Sequence, residues 1–197
     1  MREPQPVIKP LADVPDVRAA LADILIEAVA GGGSVSFMHP LPPEQAAAFW
    51  HTAFVAAARN ERIILGAWAG ESLAGTVTLL LDTPPNQPHR AEIAKLMVRL
   101  SHRGQGIAAT LMRAAEAHAA AQNRTLLVLD TATDGGAKGL YDGLGYTLSG
   151  EIPDYALKPH GGFTGTLIYW KRLSQSAGAG RISCPPALAQ PAPEQGG

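Results

Sequence analysis

Cysteine occurs once in the 197 residues, as Cys184, and that scarcity excludes an internal disulfide. A fold without disulfides fits a reducing cytoplasm. No stretch approaches the ~20 apolar residues of a membrane span. The N-terminal "MREPQPVIKP" lacks the apolar core of a signal peptide. The expectation is a soluble, cytoplasmic protein with no membrane partner. A charge excess is missing too: 16 Lys and Arg face 17 Asp and Glu. That balance argues against broad binding of nucleic acid, although a local basic patch suffices for a small anion. The six histidines, at 39, 51, 89, 102, 118 and 160, show no ligand spacing with Cys or carboxylates, so no metal is expected. "GGSVS" is not a serine-hydrolase elbow, because Ser36 stands where the last glycine is needed.

What is present suits one globular α/β domain: 46% of residues are hydrophobic and 17% charged. "PVIK" reads as a short strand. Val17, Leu21, Ile24, Leu25 and Ala28 recur at helical spacing, with Pro15 in the first turn and Gly31 as a stop. Ala46, Phe49, Trp50, Ala53, Phe54 and Ala57 mark a second helix. "GGGSVSFMHP" between them reads as a linker or as a mobile lip of a binding site. "RIILGAWA" and "LAGTVTLLLD" predict a hairpin or meander, and "AEIAKLMVRL" a further strand. A helix from Gly106 to about Gln122, a buried strand "TLLVLD", a short helix near Ala137 to Leu144, and a closing pair "YTLSGE" and "TGTLIYWKRL" complete the domain. Residues 1–173 form this domain. The small, polar, Pro-rich residues 174–197 are expected to be a disordered tail, since they cannot bury enough surface to offset chain entropy.

The junction "VRLSHRGQGIAATLM" carries the first chemical signal. Gly104 and Gly106 let backbone approach a ligand without an intervening Cβ. A helix starting there leaves its first N–H groups unpaired at the positive end of its dipole, which makes a phosphate site. Arg103 adds a permanent charge and a bidentate donor. The Lys and Ser/Thr of a nucleotide P-loop are absent. Ala109 replaces the third glycine of a dinucleotide fingerprint, and a meander precedes the turn where a Rossmann unit has βαβ.

The pattern R-x-x-G-x-A, from Arg103, Gly106 and Ala108, resembles the acetyl-CoA pyrophosphate loop of the GNAT acyltransferase superfamily. "DGGAKGLYDGLGY" is similar to a second motif of that family, through Ala137, Leu140, Tyr141, Gly145 and Tyr146. Asp134 stands where that motif usually has Asn. The order of elements agrees over roughly residues 6 to 173. A closer resemblance, on "GGGSVSFM", "RAEIAKLMV", "RGQG", "LLVLDT" and "YDGLGYT", is to the tabtoxin-resistance acetyltransferases, which acetylate an amino-acid toxin.

The resemblance implies an α/β (α+β) GNAT fold. Its mixed, mostly antiparallel sheet has about seven strands with four helices, and strands four and five are parallel and splayed. It implies acetyl-CoA as co-substrate, held by Leu96, Met97 and Val98 along the pantetheine and by Arg103, Gly104, Gln105, Gly106, Ile107 and Ala108 at the pyrophosphate, with Asp134 as a further contact. Tyr141 matches the family's general acid, set against the plainer role of a core tyrosine. Glu92 and Asp130 are the candidate bases. Their plainer roles are an ion pair of Glu92 with Lys95 or Arg90 and a loop hydrogen bond for Asp130. The implied function is N-acetylation of a small-molecule primary amine, with an amino-acid-like toxin or antibiotic as candidate acceptor. Acetylation of a protein N-terminus or lysine, and a non-catalytic acetyl-CoA-binding or toxin-sequestering module, are the alternatives. A monomer or homodimer is expected.

Overall fold

The computed structural model describes residues 6–174. The predicted tail and Cys184 lie outside the described residues. Strand β1 (Val7–Pro10) leads into helices α1 (Pro15–Ala30) and α2 (Pro43–Ala58). Three strands follow, β2 (Arg62–Ala69), β3 (Ser72–Leu80) and β4 (Arg90–Val98). Then come α3 (Ile107–Ala121), β5 (Leu126–Ala132), the short α4 (Lys138–Gly143), β6 (Thr147–Leu157) and β7 (Phe163–Arg172). Pro15 opens α1, where its missing N–H costs nothing, and Gly31 ends it.

The seven strands form one sheet in the order β1-β2-β3-β4-β5-β7-β6. Neighbours are antiparallel except β4 and β5, which run parallel. Their pairing lasts only from Arg90↔Leu126 to Glu92↔Val128. Beyond it β4 stays with β3 and β5 stays with β7, so the facing edges part.

Helices α1 and α2 cover one face, where Leu21, Leu25, Trp50 and Phe54 pack on Ile64, Leu73 and Met97. Helix α3 covers the other, where Leu111 and Met112 meet Leu65, Val77, Ile93, Leu127 and Tyr169. Ala28, Phe49 and Ala57, which share the helical spacing of the buried residues, are half-buried at the edges of these layers.

A bulge interrupts β4. Register steps from Thr78↔Ala94 to Thr76↔Met97, so one extra residue sits on β4, and Lys95 there has φ of 52°. The slip reverses the alternation. Ala91 and Ile93 face α3, whereas Met97 faces α1 and α2.

β6 runs to Leu157, well past the predicted "YTLSGE". Its second half carries Pro153, a register break between Ile152 and Ala156, and Asp154 at φ 51°. These destroy the period-two pattern that marks a strand in sequence. Pairing with β7 through Thr164 and Phe163 sustains it.

Candidate active site

The parting of β4 and β5 opens a slot in the middle of the sheet. Met97 and Val98 pair with Thr76 and Gly75 of β3 on one edge, and their other edge, with Leu96, looks into the slot. Polar backbone in such a place needs a partner, and an extended ligand can supply it.

At the end of β4 the chain makes a short 3-10 turn, Leu100–His102, and then the glycine turn. Gly104 and Gly106 both have φ of 77°, in the left-handed region. A Cβ on either would meet no heavy atom within 4 Å, so the space beside this backbone is free for a ligand. Gly106 caps α3, whose first turn holds no acidic residue. The N–H groups of Ile107 and Ala108 have no carbonyl one turn back within the helix. Arg103 is exposed beside them, its Nε 3.5 Å from the Val98 carbonyl. The turn therefore suits a pyrophosphate, and the slot that adjoins it suits an extended pantetheine arm.

Tyr141 projects from α4 into the core, 5% exposed. Its ring lies 5.4 Å from that of Tyr169 and 6.0 Å from that of Tyr146. Burial pushes its hydroxyl up to about 12, against the pull of a hydrogen bond with Thr131 on β5. At neutral pH it keeps its proton. Tyr146 is raised as well, by burial first and then by the Glu116 carboxylate.

On the α1/α2 side a cavity of about 300 Å³ opens beside β5. Ser34, Ser36, Phe37, Asp130, Tyr155 and Thr166 contribute to its wall. Leu127 and Leu129 face α3, so alternation puts Asp130 on the opposite face, where the cavity lies. The Thr166 hydroxyl on β7 lies 3.2 Å from Asp130 Oδ2 and 3.2 Å from the Thr131 carbonyl, and shares its one proton between them.

Glu92 shares that face but sits at the last paired position, opposite Val128. Its carboxylate lies 3.3 Å from Arg90 Nη1 and does not line the cavity. Of the two ion-pair partners read from the sequence, Arg90 is the one observed. Asp134 is held by Thr164 Oγ1 at 3.0 Å and by Lys158 Nζ at 3.0 Å. The Lys158 hydrogen bond, with that of Thr164, holds it below the usual carboxylate range. The structure thus turns Asp134 toward β6 and β7.

The "GGGSVSFMHP" segment forms one wall of the cavity. The His39 amide donates to the Pro159 carbonyl at 2.9 Å, and His160 Nε2 donates to the Ala30 carbonyl at 3.0 Å. These bonds tie the segment to the turn between β6 and β7. Trp50 and Phe54 are buried core, while Phe49 stacks edge-on against Phe37 at 5.3 Å.

Sequence reasoning missed Lys95 as a site residue, treating it only as an ion-pair partner. Its ammonium donates to Ser36 Oγ at 3.1 Å and lies 5.6 Å from the Phe49 ring centroid. A lysine inside the apolar run "EIAKLMV" was the available signal, but its direction depends on the bulge.

A splayed sheet, a glycine turn with open space beside it and a cavity next to β5 make up the site. The chain belongs to the acetyltransferase (GNAT) family, whose sequence model matches residues 27–146. That span includes the glycine turn, Asp130 and Tyr141. N-acetyltransferase 8B of Rattus norvegicus is 39% identical over 85 residues, 42% of this chain and 38% of that protein. The chain thus aligns with less than half the length of that relative.

In fold, the chain is similar to a phosphinothricin acetyltransferase from Sinorhizobium meliloti solved with acetyl-CoA: TM-score 0.74, 17% identity, 93% of this chain and 98% of that one. It is also similar to a ribosomal-protein-alanine N-acetyltransferase from Brucella melitensis: TM-score 0.73, 19% identity, 85% and 99% covered. No described helix is long and apolar enough to cross a membrane. Among the described residues, no three His, Cys, Asp or Glu side chains gather as a metal site.

Proposed function

We propose that the chain is an acetyl-CoA-dependent N-acetyltransferase acting on the primary amine of a small molecule. The observation that carries this reading is the convergence of three features on one slot. The glycine turn stands at its end, Tyr141 lies on its α3 side, and Asp130 faces the cavity on its other side.

In this reading the N–H groups of the Arg103–Ala108 turn bind the pyrophosphate, and the open edge of Leu96–Val98 pairs with pantetheine. A β4 N–H there also donates to the thioester oxygen as negative charge develops on it. The acceptor arrives as an ammonium, since amines of this kind have pKa values near ~10. The Asp130 carboxylate binds it and takes one proton, directly or through a water. Glu92, on the same face, is the alternate base and acts through a longer water path.

The neutral nitrogen attacks the acetyl carbon, a C–N bond forms, and the C–S bond breaks. The second amine proton leaves to the base side. Tyr141 passes its phenolic proton toward the departing sulfur and regains one from solvent, so the products are an amide, free CoA thiol and one proton released through the base side. Burial raises phenol and thiol together, because both ionise to anions. Their solution difference of about 1.5 pKa units therefore sets the cost, about 2 kcal/mol for full transfer. Tyr141 then works mainly as a hydrogen-bond donor to the sulfur as charge accumulates there.

The segment between α1 and α2 supports a small acceptor over a protein. A peptide needs an open groove, and the Gly31–Leu41 segment is bonded across to the β6–β7 turn through His39 and His160. The resemblance to the tabtoxin-resistance acetyltransferases places β-lactam-containing amino acids first among acceptors to assay. Residues 1–173 are the catalytic domain of this proposal. Mass spectrometry after incubation with acetyl-CoA and a library of amines and antibiotics tests it. A mass increase of one acetyl group on a library amine is expected. Transfer to peptide N-termini alone would replace the small-acceptor reading, and no transfer at all would leave a binding module.

A further inference from the structure

Lys95 occupies a costly place for a cation. The bulge in β4 carries it to the cavity side, where Phe37 and Phe49 flank its ammonium at 5.9 and 5.6 Å from their ring centroids. Its hydrogen bond goes to Ser36 Oγ, and among the described residues it makes no ion pair. Loss of water around it lowers its pKa, and the Asp130 charge opposes that shift without bonding to it. A partly dehydrated ammonium with spare donors gains strongly from an anion.

Ser36, Phe37 and Asp130 line one cavity. Lys95 does not itself line the cavity, but its ammonium lies directly behind Ser36 and Phe37, which do, so a cation stands beside the cavity from β4 and an anion from β5, and the two make no direct pair. A ligand with only an ammonium would satisfy Asp130 and bring a second positive charge toward Lys95. A peptide N-terminus would do the same, since its neighbouring group is a neutral amide. A ligand that carries a carboxylate as well as an amine satisfies both walls.

We propose that Lys95 is a specificity-determining residue that binds an anionic group of the acceptor, a carboxylate, beside Ser36 while Asp130 holds the acceptor amine. The inference rests on the acetyl-transfer reading and deepens it. Lys95 supplies a charge-assisted donor, and Ser36 fixes the ammonium and offers its own hydroxyl. The preference this creates for a free carboxylate over a neutral ester is about 10- to 100-fold in kcat/KM.

The test measures acetyl transfer from acetyl-CoA to amino acids, to their methyl esters and to the corresponding decarboxylated amines. Wild type, Lys95→Gln and Ser36→Ala are compared, with melting temperatures taken on the same preparations. Wild type is expected to favour the free acids. In Lys95→Gln the acid-to-ester ratio falls toward one through a rise in KM for the acid. In Ser36→Ala the ratio falls less.

Equal use of acids and esters by wild type overturns the proposal while leaving acetyl transfer intact. A Lys95→Gln protein that is folded and keeps the full ratio does so too, as does one that loses both substrates in equal measure. Transfer to no amine of any kind overturns the acetyl-transfer reading, and this proposal with it.

Discussion

The Lys95 ammonium and the Ser36 hydroxyl lie 3.1 Å apart, joined across 59 residues of chain. One belongs to the bulge in β4 and the other to the segment between α1 and α2, so this bond links the central sheet to the wall of the cavity.

Lys95 also leaves a signature in stability. Burial lowers its pKa in the folded state below the unfolded value. Between those two values the unfolded chain binds more protons, so this group makes stability rise with pH there. Below the folded value its full penalty is present. Lys95→Met removes the titration. The melting temperature of wild type relative to this variant is therefore expected to improve as pH rises toward the ordinary lysine value near ~10. Calorimetry on both proteins checks it, and a constant gap would contradict a desolvated Lys95.

Tyr141→Phe keeps the ring that packs against Tyr146 and Tyr169 and removes only the hydroxyl. A donor used on the departing sulfur acts in the transition state, so kcat falls while acetyl-CoA affinity holds. A loss of about tenfold is expected, at the low end for acid catalysis because the thiolate is already a fair leaving group. The hydroxyl keeps its proton to about 12. Wild type and variant should therefore share the same basic limb in any assay below about pH 10. Full turnover in a folded variant would reduce Tyr141 to a packing residue.

Gly106→Val places a β-branched residue at φ 77°. The left-handed conformation costs a side chain roughly 1–2 kcal/mol, and the new methyl groups fill the open space beside the turn. Acetyl-CoA binding should weaken by about tenfold or more. Isothermal calorimetry reads this directly, and an unchanged affinity in a folded protein would remove the turn from the site.

Asp130→Asn and Glu92→Gln separate the two candidate bases. Asp130→Asn is expected to cost about 100-fold or more in kcat/KM, and Glu92→Gln less than about tenfold. Steady-state rates over a pH series decide it. The reverse ranking would make Glu92 the base and leave Asp130 with the acceptor ammonium alone.

A chain ending at Ser174 should keep the melting temperature and acetylation rate of the full chain, because the composition of residues 175–197 is too polar and Pro-rich to build a core. Loss of either would mean that those residues contribute to the folded protein.

The sequence by itself determined the order of elements, the glycine turn before α3 and the position of Tyr141 beyond β5. Those features are written in local chemistry: helical spacing, a proline at a first turn, glycines where φ is positive. Only the tertiary structure decided which polar residues meet. The parting of β4 and β5 after Glu92 separates that residue, paired with Arg90, from Asp130 in the cavity. No local pattern encodes where a parallel pairing stops. The bulge at Lys95 depends on the register with β3, and a slip of one residue decides which face receives the side chain. The second half of β6 and the bonds from His39 and His160 are likewise non-local. The second half of β6 depends on its partner strand β7, and the two histidine bonds join residues more than a hundred positions apart.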